Sequence, residues 1–458
     1  MFPSFAQEFH LDNTQLLLIT GVCILAFAYA NFLIVPCSNI FGRRPTYFVF
    51  TLISIAALIW QARATSYASL IVARVVNGAG AATNETMAIQ VIADMLFLHE
   101  RGLWTMAYFT STSLGAYLGP VISGNITERF GWRSFFWLSV ALNSFNFITI
   151  LLCYPETRYR RDTQLTQETS PISVSTPIPD DEKITKPSTT TPLPPPHPPT
   201  PSPGTGFPSK TQFHLWQIPD PQWKRFLLRD CLTPVRVCIY PIIFWAGLAV
   251  SGSSNLVLFW NLTESSVLGA PPYNFSASAV GYSNFAFAVG VLVGLVTAGP
   301  WSDWVVLKAT GRNNGVYEAE MRLFALLPCL VLVVVSTVVG AFAMERRWDW
   351  PVILVVGYAL CGICGAAIGS ISVAYAVDCY KPISGEIMTV VTVIKNTCGF
   401  GMSFWLPSLA ARTRGYFTPA MVQLALTVGP LVLAGPMYFW GKRFRVWTRN
   451  SSVHSYEM

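Results

Sequence analysis

Charge is scarce in this chain: Asp, Glu, Lys and Arg make up 12% of 458 residues, while 52% are hydrophobic. That balance, with a mean hydropathy of +0.45, excludes a soluble globular protein and puts most of the chain in lipid. Other absences narrow the chemistry. There is no G-x-x-x-x-G-K-[ST] loop to cradle nucleotide phosphates, so nothing here would drive transport with ATP. There is no H-E-x-x-H, no G-x-S-x-G and no pair of acids inside an apolar run, which argues against a membrane-embedded enzyme. The five histidines (His10, His99, His197, His214, His454) all fall outside the apolar runs, leaving carboxylates such as Glu85 as proton carriers within the membrane. Residues 1–14 hold no Lys or Arg and two acids, the reverse of a signal-peptide start. Most of the ten cysteines sit in or beside apolar runs as small apolar residues. Cys361-x-x-Cys364 has no second ligand pair, so packing is favoured over a metal or redox role, and neither cofactor nor metal is expected.

What is present is a series of apolar runs. A hydrocarbon layer about 30 Å thick needs about 20 apolar residues at 1.5 Å each. Eleven runs near that size lie at approximately 15–37, 46–62, 67–97, 104–124, 134–153, 236–260, 279–300, 323–343, 350–377, 387–411 and 417–440. None alternates apolar and polar residues as barrel strands do, so the spans are helices. The expectation is an all-α polytopic membrane protein with about eleven transmembrane helices.

Lysine and arginine favour cytoplasmic loops. With SNIFGRRP (38–45) placed inside, the inner segments hold 20 of the 30 Lys and Arg and the outer segments 7. The sequons at Asn125, Asn261 and Asn274 then fall outside as candidate glycosylation sites. The net charge of +7 reflects inner loops facing anionic lipid, with no need for nucleic acid.

Residues 154–235 contain TPLPPPHPPTPSPGTG and runs of Ser, Thr and charge, the composition of a disordered cytoplasmic linker. It separates a bundle of five spans (1–153) from one of six (236–441), followed by a tail (442–458). In the second set two spans precede GPWSDWVVLKATGRNNG (299–315), whereas one precedes SNIFGRRP, so if these loops correspond the first set lacks its opening helix.

The loop residues resemble a known family. Gly42, Arg43 and Arg44 match the end of the pattern G-x-x-x-D-[RK]-x-G-R-[RK] of the major facilitator superfamily, with Val35 and Asn39 replacing its first Gly and its Asp. The second half keeps Gly299 and Asp303, followed by Arg312-Asn-Asn-Gly315 and Glu320-Met-Arg322. The resemblance is to the fungal twelve-span drug:proton antiporter-like branch and covers nearly the whole chain except the linker and the absent first helix. It implies a fold of two six-helix repeats. The arginines would pair with acids or helix C-termini of a neighbouring helix in one conformation and release them in another, with Asp303 and Arg312 acting alike in the second half and Asp378 part of that gating network. The alternative is that Arg43 and Arg44 simply enforce orientation and meet lipid phosphate.

Three stretches carry the remaining candidates. In ARVVNGAGAATNETMA (73–88), Arg74, Gly78, Ala81 and Glu85 would share one helix face, the two charges about 16 Å apart. The resemblance aligns Arg74 and Gly78 with a proton-coupling motif R-x-x-x-G; a purely structural pair is the other reading. GAYLGPVISG (115–124) resembles the antiporter motif through Gly115, Gly119, Pro120 and Gly124, where glycines admit a close backbone and Pro120 frees a carbonyl. In the second half Lys395 and Asn396 are costly polar residues in a span. Trp245, Asn255, Asn284, Tyr358 and Tyr375 would line a substrate cavity or else serve as interhelical glue. The expectation is a monomeric, non-enzymatic secondary transporter of the plasma membrane, exchanging protons for a small organic molecule such as a drug, toxin or secondary metabolite. Uptake of a cation or nutrient such as a polyamine, and a truncated non-transporting member, are the alternatives.

Overall fold

The computed structural model describes residue 5 and residues 8–95, 101–157, 223–380 and 384–448, and all regular structure among them is helical. The first half contains α1 (Asn13–Phe41), α2 (Arg43–Ala62), α3 (Tyr67–Ala81), α4 (Thr83–Met95), α5 (Arg101–Phe130) and α6 (Trp132–Cys153). The second contains α7 (Trp223–Cys238), α8 (Pro241–Leu268), α9 (Ala277–Arg312), α10 (Leu326–Glu345), α11 (Trp350–Cys379), α12 (Ser384–Thr413), α13 (Phe417–Val432) and α14 (Ala434–Thr448). Helix ends follow local chemistry. Ser66 and Ser276 accept from the backbone N–H groups of Ser69 and Ala279, both at 3.3 Å, and so cap α3 and α9. At φ +106°, Gly42 makes a one-residue turn between α1 and α2 that a side chain would strain.

Eight helical stretches among the described residues are long and apolar enough to cross a membrane, and α13 with α14, bent by 42°, makes a ninth if the two form one span. Two of the eleven expected spans differ. The run 67–97 is broken at Ala82 into helices of 15 and 13 residues. The run 104–124 is one continuous helix, but Thr105, Thr110, Ser111, Thr112 and Ser113 dilute its apolar character. Helices also outrun the expected edges. Asn125 lies inside α5 and accepts a hydrogen bond from the Tyr282 hydroxyl at 2.9 Å, and Asn261 lies inside α8. Of the three sequons, Asn274 occupies an exposed loop. The expected linker is also shorter at its end, because WKRFLLRDCLTPVRVC repeats apolar residues at helical spacing and forms α7 against α1 and α12. Residues 158–222 lie outside the described residues.

The helices of the second half share one large core around Trp245, Trp260, Tyr358 and Tyr375. The first half has a cluster of Phe5, Leu16, Ile19, Leu70, Trp132 and Phe136 at one end and a small one of Ile34, Ala82 and Met87 toward the other. On α6, Leu142, Phe145, Ile148 and Leu152 make a stripe 52–72% exposed, as a lipid-facing surface requires. Between the halves α1 packs on α12 and α5 on α9. Glycine sets the closest contacts: a Cβ on Gly290 of α9 would stand 2.1 Å from the Ala359 carbonyl oxygen of α11. The first cluster carries Glu8, which binds Arg133 at 2.7 Å and accepts from the Trp132 indole at 2.6 Å.

Two outcomes follow from this packing. Gly290→Ala has to move backbone, so it lowers the thermal midpoint in detergent by the equivalent of about 1–3 kcal/mol, while Gly311→Ala, with nothing within 4 Å, does not. The hydrogen bond from Arg133, then that from Trp132, holds the Glu8 carboxyl below the usual carboxylate range. Its contribution is therefore full above about pH 4.3 and is lost as pH falls through the depressed folded value. Glu8→Gln removes that acid-dependent part of the melting midpoint, worth about 1 kcal/mol or less because both partners are partly solvated.

Candidate functional site

The cut at Ala82 decides where the charges of 73–88 go. Arg74, on α3, stays within the first half, its guanidinium beside the Cys23 thiol and 5.3 Å from the centre of the Phe136 ring. Glu85, on α4, faces the second half, where Lys395 Nζ of α12 donates to its Oε1 at 3.1 Å. Arg74 and Glu85, expected on one face of one helix, lie on separate helices either side of Ala82 and meet different neighbours. Side chains of Lys395 and Glu85 are 24% and 19% exposed, so the ion pair is largely withdrawn from solvent, and Glu85 Oε2 has no hydrogen-bond partner among the described residues. Asn255 of α8 secures the helix that carries the lysine, its amide donating to the Lys395 carbonyl at 3.1 Å and to Ser251 Oγ at 3.0 Å. Asn396 is buried beside it.

The end of the assembly that carries Gly42, the arginine end, is held by two networks. In the first half the Glu156 carboxylate, just past α6, accepts from the backbone N–H groups of Arg43 at 2.9 Å and Arg44 at 3.2 Å, at the N-terminus of α2. Arg43 donates to Ser38 and Asn39, both at 2.7 Å, so Asn39 still serves as an acceptor where the family pattern has Asp. Arg44 donates to the Leu151 carbonyl in the last turn of α6 at 2.7 Å. In the second half Arg322 is the hub, 3.2 Å from Asp378 and 3.6 Å from Asp303. Tyr317 donates to Asp378 at 2.7 Å. Arg312, expected opposite Asp303, is instead exposed at the end of α9, because α9 runs on for nine residues past Asp303 before the chain turns back. Arg445 of α14 binds Glu320 at 2.6 Å.

The residues expected to line a substrate cavity are buried in the second core. Trp245 donates to the Pro430 carbonyl at 2.8 Å and meets Tyr375 edge to face. Tyr358 stacks on Phe287 at 4.5 Å, and Asn284 donates to Glu264. A cavity of about 440 Å³ opens at the end away from the arginines, lined by other residues including Leu16, Thr263, Glu345 and Arg414. In the antiporter-like stretch, a Cβ on Gly124 would meet the Ala277 carbonyl at 2.5 Å and one on Gly281 the Pro120 carbonyl at 2.9 Å, which makes this the close contact of α5 with α9. Among the described residues nothing lies within 4 Å of where a Cβ on Gly115 or Gly119 would stand. Arg322 and Glu264 carry network positions that sequence reading left unassigned. Glu264 is within α8, in a turn that the expected span edge at 260 placed outside.

Residues 1–378 match the sequence profile of the Major Facilitator Superfamily. The chain belongs to that family. Similar proteins include an uncharacterized MFS-type transporter of Schizosaccharomyces pombe, 26% identical over 93% of this chain and 77% of the relative. Another is a probable efflux pump, mfs2, of Aspergillus flavus, 22% identical over 97% of this chain and 98% of the relative. The proton:xylose symporter XylE bound to 6-bromo-6-deoxy-D-glucose has the same fold, with a TM-score of 0.58 at 11% identity over 96% of this chain and 90% of that one. The protein is thus a multi-pass membrane carrier of the major facilitator type rather than an enzyme.

For a major facilitator carrier, a charge pair between the halves bears on how they move. Glu85→Gln and Lys395→Met each leave one partner stranded, whereas the double variant strands neither. A double-mutant cycle on thermal midpoints returns a coupling of roughly 0.5–3 kcal/mol.

Proposed function

We propose that this carrier exchanges protons for a small organic molecule, moving that molecule out of the cell by alternating access at the plasma membrane. The halves that rock are residues 1–153 and 236–441, with the arginine end facing the cytoplasm. The observation that carries the reading is the Glu85–Lys395 pair. A carboxylate that holds the opposite half through a lysine loses that hold when it takes a proton, so proton binding and the separation of the halves are one event at this site. Among the described residues Oε2 of Glu85 has no partner to displace when the proton arrives. The networks around Glu156 and Arg322 serve as clasps within each half, keeping the helices together while the halves tilt. The name of the Aspergillus flavus relative supports the outward direction.

A second reading is uptake of an organic cation such as a polyamine. It is favoured by the same carboxylate, whose partner is an ammonium group that a cationic substrate could replace. Flux of labelled hydrophobic toxins and of polyamines, measured in membrane vesicles under an imposed pH gradient, separates the two. Glu85→Gln is expected to bring proton-driven flux to background while membrane expression is unchanged. Undiminished flux would remove Glu85 from the mechanism, and gradient-driven polyamine entry would select the second reading.

A further inference from the structure

A second acid lies deep in the second half, away from Glu85. Glu264 is 7% exposed, and both of its oxygens face one group, the Asn284 Nδ2 of α9, at 3.1 and 3.0 Å. Among the described residues no lysine, arginine or histidine lies within ion-pairing distance of it. Among the described residues the titratable side chain facing it is Tyr358 of α11, close enough to feel its charge. From α9 it meets the neutral Asn284, and α10 brings Gly340 against the Trp260 ring beside it. An anion buried with a single amide donor is poorly compensated.

Three buried polar atoms on the helices around it lack partners among the described residues: Asn284 Oδ1, Trp260 Nε1 and Tyr358 Oη, the rings of the last two 5.6 Å apart. They fall into two complementary sets. Both carboxyl oxygens face Nδ2 here, so if Glu264 carries a proton a turn of the amide brings Oδ1 to its hydroxyl, and acid and amide then close a two-bond pair. An amide turned the other way round would need the same proton, since its oxygen would then face the carboxyl. If Glu264 gives up the proton, the unpartnered Tyr358 hydroxyl and the unpartnered indole of Trp260, one turn back on α8, are the donors that a rearranged pocket would offer the anion. Tyr358 comes from the widened turn Ile353–Ala359 of α11, one of whose carbonyls, that of Gly357, accepts from Ser336 of α10 at 3.1 Å. Its ring stacks through Phe287 onto Tyr117 of α5, in the first half.

We propose that Glu264 is a second exchangeable proton site, with Asn284 as partner of the acid and Tyr358 and Trp260 as partners of the anion. The proposal deepens the proton-coupled reading and rests on it for what the proton does in transport, but proton binding itself is measurable without substrate. The experiment is infrared difference spectroscopy of the full chain in lipid nanodiscs across a pH titration. A protonated-carboxyl carbonyl band that disappears as pH rises is expected in the unsubstituted protein and in Glu85→Gln, reduced by one carboxyl's amplitude in Glu264→Gln. Glu264→Asp, which keeps a titrating group on a shorter stem, is expected to shift both the band and its midpoint. Spectra in which neither Glu264 variant differs from the unsubstituted protein overturn the proposal. A band that titrates and depends on Glu264, in a protein whose flux ignores the pH gradient, would leave this site standing and refute proton coupling instead.

Discussion

A charge in hydrocarbon keeps its place only while another polar group holds it, and that constraint organises this protein. Lys395 is held by Glu85 across the halves, Arg44 by the Leu151 carbonyl, Arg322 by Asp378 and Asp303, and Glu320 by Arg445. Each hold joins two helices, so the charges that make insertion costly also specify which helices meet. The Glu85–Lys395 pair differs from the other three in joining elements that the fold allows to separate. The others bind helices of the same half.

The two clasps at the arginine end are related with their signs exchanged. In the first half basic residues begin α2 and an acid, Glu156, follows α6. In the second an acid, Glu320, precedes α10 and the base, Arg445, lies on α14. Either arrangement ties one helix end to another, through backbone N–H groups on a carboxylate in the first half and through an ion pair in the second. The glycine contacts show similar repetition: Gly78 against the Cys23 carbonyl joins α3 to α1, and Gly290 against the Ala359 carbonyl joins α9 to α11. Backbones approach this closely where association relies on packing rather than on exclusion of water.

Much of the architecture was legible along the chain, because lipid imposes a length and polarity rule that a run of residues either meets or fails. The helical class and most of the spans could be read in that way, while Arg43, Arg44 and Asp303 were singled out by the resemblance of their loops to the family pattern. Errors arose where hydropathy is silent. The helix ends that swallow Asn125 and Asn261, and carry Glu264 inside, lie beyond the apolar runs because neighbouring helices shelter them. The helix boundary at Ala82, which hydropathy does not mark, puts Arg74 and Glu85 on separate helices with different partners. Asp303 was grouped with the arginine of its own loop, Arg312, whereas the chain brings Arg322 back to it from beyond a turn.

Sequence alone determined that this chain crosses a membrane as helices and that its few charges need partners, since both follow from the free energy of transfer into hydrocarbon, residue by residue. Which partner each charge found was decided by the tertiary structure alone. Glu85 and Lys395 stand 310 positions apart, and only the packing of α4 against α12 puts a carboxylate within reach of that ammonium. The Asn284 amide likewise comes to Glu264 from another helix. Pairing depends on distances in space, and no local pattern records them.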